Sequence, residues 1–109
     1  MDCKYGYFSQ TQISAAKESM RKQIYFLLLI VDPRTRNDYS NVDIDVAFDT
    51  TLRKFGGFNS VLNESPELVW VISLLEAALI EYHSDSFNYA TYRKLVLDAG
   101  NEVLKIKEV

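Results

Sequence analysis

The chain has 109 residues and a mass of 12.6 kDa, enough for a single domain over 1–109 and, by the usual size of domains, for no second one. With 48% apolar residues, 25% charged residues, four Gly and two Pro, it is too apolar for disorder and too poor in turn formers for a sandwich or barrel of many short strands. A formal net charge of −3 lacks the basic excess that neutralises nucleic-acid phosphates, and the single Cys, Cys3, excludes an internal disulfide and a cysteine-based zinc cluster.

In chain order, residues 1–8 show no helical pattern and read as a loosely ordered segment without the features of a secretory signal. Ser9 to Asp32 is rich in helix formers, with Ile13, Ala16, Met20, Ile24 and Leu27 or Leu28 on one stripe, and the run from Phe26 to Val31 then wraps every face. The longest apolar stretch, Tyr25 to Val31, is far short of the roughly 20 residues that span a bilayer. No membrane partner is expected, and a single Cys fits the cytoplasm. Asp32-Pro33 should end this helix, because proline disfavours the α conformation in the residue before it; Arg34 to Asp38 then reads as an exposed loop.

The second helix is expected to start at Ser40 as its cap, with Tyr39 stapled onto Ile44. Val42 to Val46 also alternates like a strand, but no second strand is available to pair with it, so helix is preferred. Ile44, Ala47, Phe48, Leu52 and Phe55 continue at helical spacing, and Gly56-Gly57 should stop the helix, with one further helical turn at Phe58 to Leu62. Ser65-Pro66-Glu67 combines a cap, a proline at the first helical position and an acid in the positively polarised first turn. The third helix that follows is apolar almost all round, broken by a thin polar stripe of Ser73, Glu76 and His83. Ser84-Asp85-Ser86 recaps the chain for a last helix from Phe87 to Lys107, in which Gly100 beside Ala99 points to a close crossing. The fold class is therefore all-α: a compact bundle of four main helices plus the short turn after the glycines.

Catalytic constellations are scarce. His83 is the only histidine, so a nucleophile–base pair or an imidazole metal site would have to run through it alone. Glu76 shares its face but lacks the Glu-x-x-His spacing of carboxylate-bridged metal helices. Asp38, Asp43, Asp45 and Asp49 lack the glycine turn and terminal Glu of a calcium loop. Gly56-Gly57 lacks the strand and lysine of a phosphate cradle. No cofactor and no metal are expected.

These features give a non-enzymatic protein-interaction module, a small regulator, inhibitor or subunit of a larger complex that pairs with itself as a homodimer. Two helices apolar on nearly all faces need more cover than two amphipathic ones provide, and the surplus is assigned to Phe26, Leu29, Val69 and Val71. The alternative is a nucleic-acid-associated subunit using Arg34, Arg36, Arg53, Lys54, Arg93 and Lys94, which requires these side chains to converge. An enzyme built around His83 and Glu76 is the remote third reading and requires the two to meet in a pocket.

Overall fold

The computed structural model describes residues 2–3, 6–7, 10–61 and 65–106. Among the described residues four helices carry the fold: α1 (Gln10–Leu29), α2 (Ile44–Val61), α3 (Pro66–Tyr82) and α4 (Tyr89–Val103). Ahead of them, two-residue strands β1 (Asp2–Cys3) and β2 (Gly6–Tyr7) pair antiparallel; the remainder of the segment expected to be loose lies outside the described residues. The chain is an all-α bundle, as its composition and periodicity require.

In α1 Ile13, Met20, Ile24 and Leu27 of the expected stripe are buried, while Ala16 is half-buried. The helix ends at Leu29, before the expected Asp32, because the backbone tightens: Val31 donates to Leu28 O (3.2 Å) and Asp32 to the same carbonyl (2.8 Å). The Leu27 carbonyl is thereby left without a backbone donor, and the hydroxyl of Tyr92 in α4 donates to it at 2.6 Å. A carbonyl orphaned at a helix end is thus satisfied by a buried side chain.

The following segment is not the open loop expected. Arg36–Tyr39 forms a 3-10 turn, and the Arg36 guanidinium donates to Tyr39 O at 2.6 Å and Val42 O at 3.4 Å. This grip holds 39–42 out of the helix, so α2 starts at Ile44 and its cap is Asp43, which accepts from Val46 N at 3.1 Å. Ser40, the expected cap, follows the 3-10 turn instead. The alternating Val42 to Val46 run resolves as helix from Ile44 onward.

Gly56-Gly57 does not stop α2, which continues through both glycines to Val61. The separate turn expected after them is the last part of the same helix, and Leu62 lies outside the described residues. Packing overrides propensity here: Phe55 is fully buried and Phe58 packs against the core, which anchors helix on both sides of the pair. A Cβ added at either glycine meets nothing within 4 Å. Gly56→Ala and Gly57→Ala should each therefore raise stability by up to about 1 kcal/mol, read as a higher midpoint in thermal melts. A lower midpoint would show that the helix breaks at this pair.

The third helix begins as its sequence requires, with Ser65 capping Leu68 N and Pro66 in the first turn. The fourth is capped by Asn88, whose side chain accepts from Thr91 N at 3.2 Å, rather than by Ser84 to Ser86. It ends at Val103, before the expected Lys107, and residues 104–106 form a turn.

Each helix packs on its two neighbours in a ring, α1–α2–α3–α4, with α3 and α4 sharing the most extensive interface and α1 and α2 the thinnest. Lys17 near the start of α1 donates to Leu104 O (3.1 Å) and Ile106 O (2.9 Å) at the end of α4, while Tyr92 reaches Leu27 at the opposite end; these two helices therefore run antiparallel. The core gathers Phe48, Phe55, Tyr92, Ile24, Leu68, Leu75 and Val96, all 0% exposed. Gly100 is buried in α4, and an added Cβ would lie 3.1 Å from the ring of Tyr25 in α1. The close approach expected there is to a side chain, whose hydroxyl Arg21 holds at 2.9 Å.

Candidate protein-interaction surface

The four interface candidates are not brought together. Val71 is 0% exposed and belongs to the core, which corrects its assignment to a surface patch. Phe26 and Leu29 are partly exposed on α1, where the Phe26 ring meets the edge of Tyr39 at 5.6 Å. Val69 is exposed on α3, diagonally across the ring from α1.

Sequence reasoning missed the residues that accompany Val69. In α3, Leu68, Val71, Leu74, Leu75 and Ala78 are buried, which turns the opposite arc outward. That arc holds Val69 (45% exposed), Trp70 (54%) and Ile80 (73%), with half-buried Ala77 among them and Ser73 and Glu76 exposed along its middle. The Ser73 hydroxyl donates back to Val69 O at 3.0 Å, so part of the arc's scant polarity is spent on its own helix backbone. The available signal was the polar stripe itself. Ser73 and Glu76 fix the phase of the helix, so the apolar residues three or four positions from them face outward and Val71 faces in.

A second apolar feature follows the thin seam between α1 and α2. One depression of about 470 Å³ is lined by Lys22, Gln23, Phe26, Val42, Val46 and Ala47, among others. Another of about 350 Å³ lies further along the same seam, against Met20, Lys54, Phe55 and Phe58. The Oε1 of Gln23 is buried there without a hydrogen-bond donor. Small and polar residues, Ala47 and Thr50 in the first depression and Ala16 and Ser19 in the second, are among those that line them.

His83 and Glu76 do not share a pocket. His83 follows the end of α3 and its Nε2 lies 2.5 Å from Oδ1 of Asp45 in α2, joining two helix ends through exposed side chains. The shallow surface around it is lined by Leu79, Ile80, Ser84 and Asp85; Glu76 is on the outward arc. Among the described residues no group of three or more His, Cys, Asp or Glu is placed to hold a metal ion. No described helix is long and apolar enough to cross a membrane.

The six basic candidates do not share one face, although Arg34 and Arg93 both act on Tyr89, and most are engaged. Arg34 binds Asp32, Arg36 binds backbone carbonyls, Arg53 pairs with Asp49 at 3.0 Å and Lys94 with Asp98 at 3.0 Å. Lys54 lies on α2 and Arg93 on α4, diagonal positions in the ring.

One polar constellation was not foreseen. Asp32 is buried, and its carboxylate accepts from Arg34 N (2.8 Å), Nε (3.2 Å) and Nη2 (2.9 Å), closing the Asp32-Pro33 corner. The Arg34 side-chain bonds, then its backbone N–H, hold the Asp32 carboxyl well below the usual carboxylate range, with nearby Tyr89 acting in the same direction. Burial in turn pushes the Tyr89 phenol up. Because the folded-state pKa is depressed, the stabilisation is complete above the ordinary Asp value of about 3.9 and is lost as the pH falls through the acid range below it. Asp32→Asn should destabilise at neutral pH, and its deficit in denaturant titrations should shrink steadily from about pH 4 downward. A deficit that stayed constant to strongly acidic pH would exclude this origin.

Comparison of the chain with protein-family models, with curated proteins and with solved structures gives no match.

Proposed function

We propose that this protein is a non-enzymatic interaction module that associates with a second copy of itself through the outward face of α3. The supporting observation is the exposure of Val69, Trp70 and Ile80 along one arc of a helix whose opposite arc is core. Exposed apolar residues scattered singly are ordinary, whereas several aligned on one helix face form a patch that association would shield from water. Aromatic residues such as Trp70 are the side chains that most often anchor interfaces, since they bring large apolar area at low entropic cost. A single helix face offers less than the roughly 800 Å² per partner of a standard interface. The association is therefore weak and concentration-dependent.

Trp70 is the chain's only tryptophan, which makes the test direct. On raising the protein from low to high micromolar concentration, sedimentation should show a dimer and the fluorescence should shift to the blue as the indole leaves water. Ile80→Lys should suppress both changes without altering the fold. A monomer at all concentrations with unchanged emission would refute the reading.

A further inference from the structure

The exposed face of α3 has an internal symmetry that identifies how a second copy fits it. Its central seam is Val69, Ser73, Glu76 and Ile80, spaced four, three and four residues apart, with Trp70 and Ala77 along one flank. Read from either end, this seam runs apolar, polar, polar, apolar. Resting on the self-association proposed above, we infer that the two copies pair α3 against α3 in antiparallel sense, about a two-fold axis that lies between the two helices, level with the midpoint of positions 74 and 75. Such an interface is isologous, each copy offering the same surface.

Two physical arguments select this arrangement over its parallel counterpart. In the antiparallel register Val69 faces the second copy's Ile80 at both ends, and Ser73 faces the second copy's Glu76 at the centre. The serine hydroxyl, which now donates to its own helix backbone, can turn to a carboxylate across the interface, a stronger acceptor than a carbonyl. In the parallel register each Glu76 would meet the second copy's Glu76, and like charges brought together in a desolvating interface oppose association. No lysine or arginine occurs between Lys54 and Arg93, so α3 holds no cation to relieve that repulsion.

The flank agrees. A two-fold axis perpendicular to the plane of the helix pair keeps flank residues on the same side, so Trp70 of each copy shares a flank with the second copy's Ala77, about 3 Å from it along the helix axis. A small residue is thus placed where the largest side chain needs room. Ser73 and Ala77 also permit the close helix approach, about 8–10 Å between axes, at which such seams interlock.

Cysteine trapping separates the registers, with Cys3 replaced by Ser so that each introduced thiol is alone. Mild oxidation of a mixture of the Val69→Cys and Ile80→Cys chains should give a covalent heterodimer, while neither chain alone should form a disulfide-linked dimer at comparable rate. In sedimentation, Ser73→Glu should weaken association by about tenfold or more through repulsion with Glu76, and Ser73→Lys should strengthen it. Cross-linking of the Val69→Cys chain to itself would establish the parallel register and overturn this inference while leaving self-association intact. Association insensitive to the charge at position 73, with no cross-linking in the mixture, would place the contact elsewhere and overturn it as well. A parent chain that stays monomeric would overturn the underlying reading instead.

Discussion

Replacing Phe48 with alanine should lower the stability of the bundle by about 3–5 kcal/mol, among the largest single-residue effects expected for this chain. Phe48 is 0% exposed, and its ring meets Tyr92 edge-on, with centroids 6.2 Å apart and an interplanar angle of 71°. Truncation removes the transfer energy of the ring and leaves a cavity that the helices cannot close without displacing Tyr92. Since a domain of this size is stable by only about 5–15 kcal/mol, the variant's thermal midpoint should fall by roughly 15–30 °C. Phe48→Leu, which refills most of the volume, should cost about 1.5 kcal/mol or less. Equal losses in the two variants, measured by urea titration, would mean that ring geometry rather than cavity volume governs the site.

The second large effect belongs to a single hydroxyl. Tyr92→Phe keeps the ring and its packing but removes the donor to Leu27 O, leaving a buried carbonyl at the end of α1 without a partner. The expected cost is about 1–3 kcal/mol, and a loss near zero would mean that the carbonyl finds another donor. A pH dependence should accompany it. Burial pushes the Tyr92 phenol well up from its ordinary value, and because the folded-state pKa is raised, the stabilisation is present below about pH 10 and is lost as the pH rises beyond it. The parent should therefore lose stability in alkali more steeply than the Phe variant does.

How much of this was legible in the sequence varied with the source of each signal. The start of α3 was readable because Ser65, Pro66 and Glu67 act on backbone within a few residues of themselves. The start of α2 was not, since Ser40 and Asp43 are both competent caps and the choice between them is made by Arg36, whose grip on the carbonyls of Tyr39 and Val42 is a feature of the folded turn. Gly56-Gly57 was misread as a stop for a related reason: intrinsic propensity is weak beside the anchoring of Phe55 and Phe58 in the core. At the candidate surface, α3 was correctly seen as over-supplied with apolar residues. Which of them would be left outside depended on the phase set by Ser73 and Glu76, and so Val71 was exchanged for Trp70 and Ile80. The basic residues looked like a reserve of free charge because their partners, Asp32 for Arg34 and Asp49 for Arg53, cannot be told from other nearby acids in a linear reading.

The closure of the ring between α1 and α4 also bears on the order in which the molecule assembles. The bonds that tie these helices join residues 65 positions apart, Tyr92 to Leu27, and 89 apart, Lys17 to Ile106, whereas the most extensive interface joins α3 to α4 across a short connection. Closing the longer loop costs chain entropy before any of its contacts form, so the α3–α4 hairpin is the natural nucleus and α1 the element that docks late. In folding kinetics, truncations such as Leu75→Ala and Val96→Ala should slow refolding, while Ile24→Val in α1 should act mainly by hastening unfolding. The face of α3 that faces water in the finished bundle would then be presented from the earliest stage of folding, before the ring is complete.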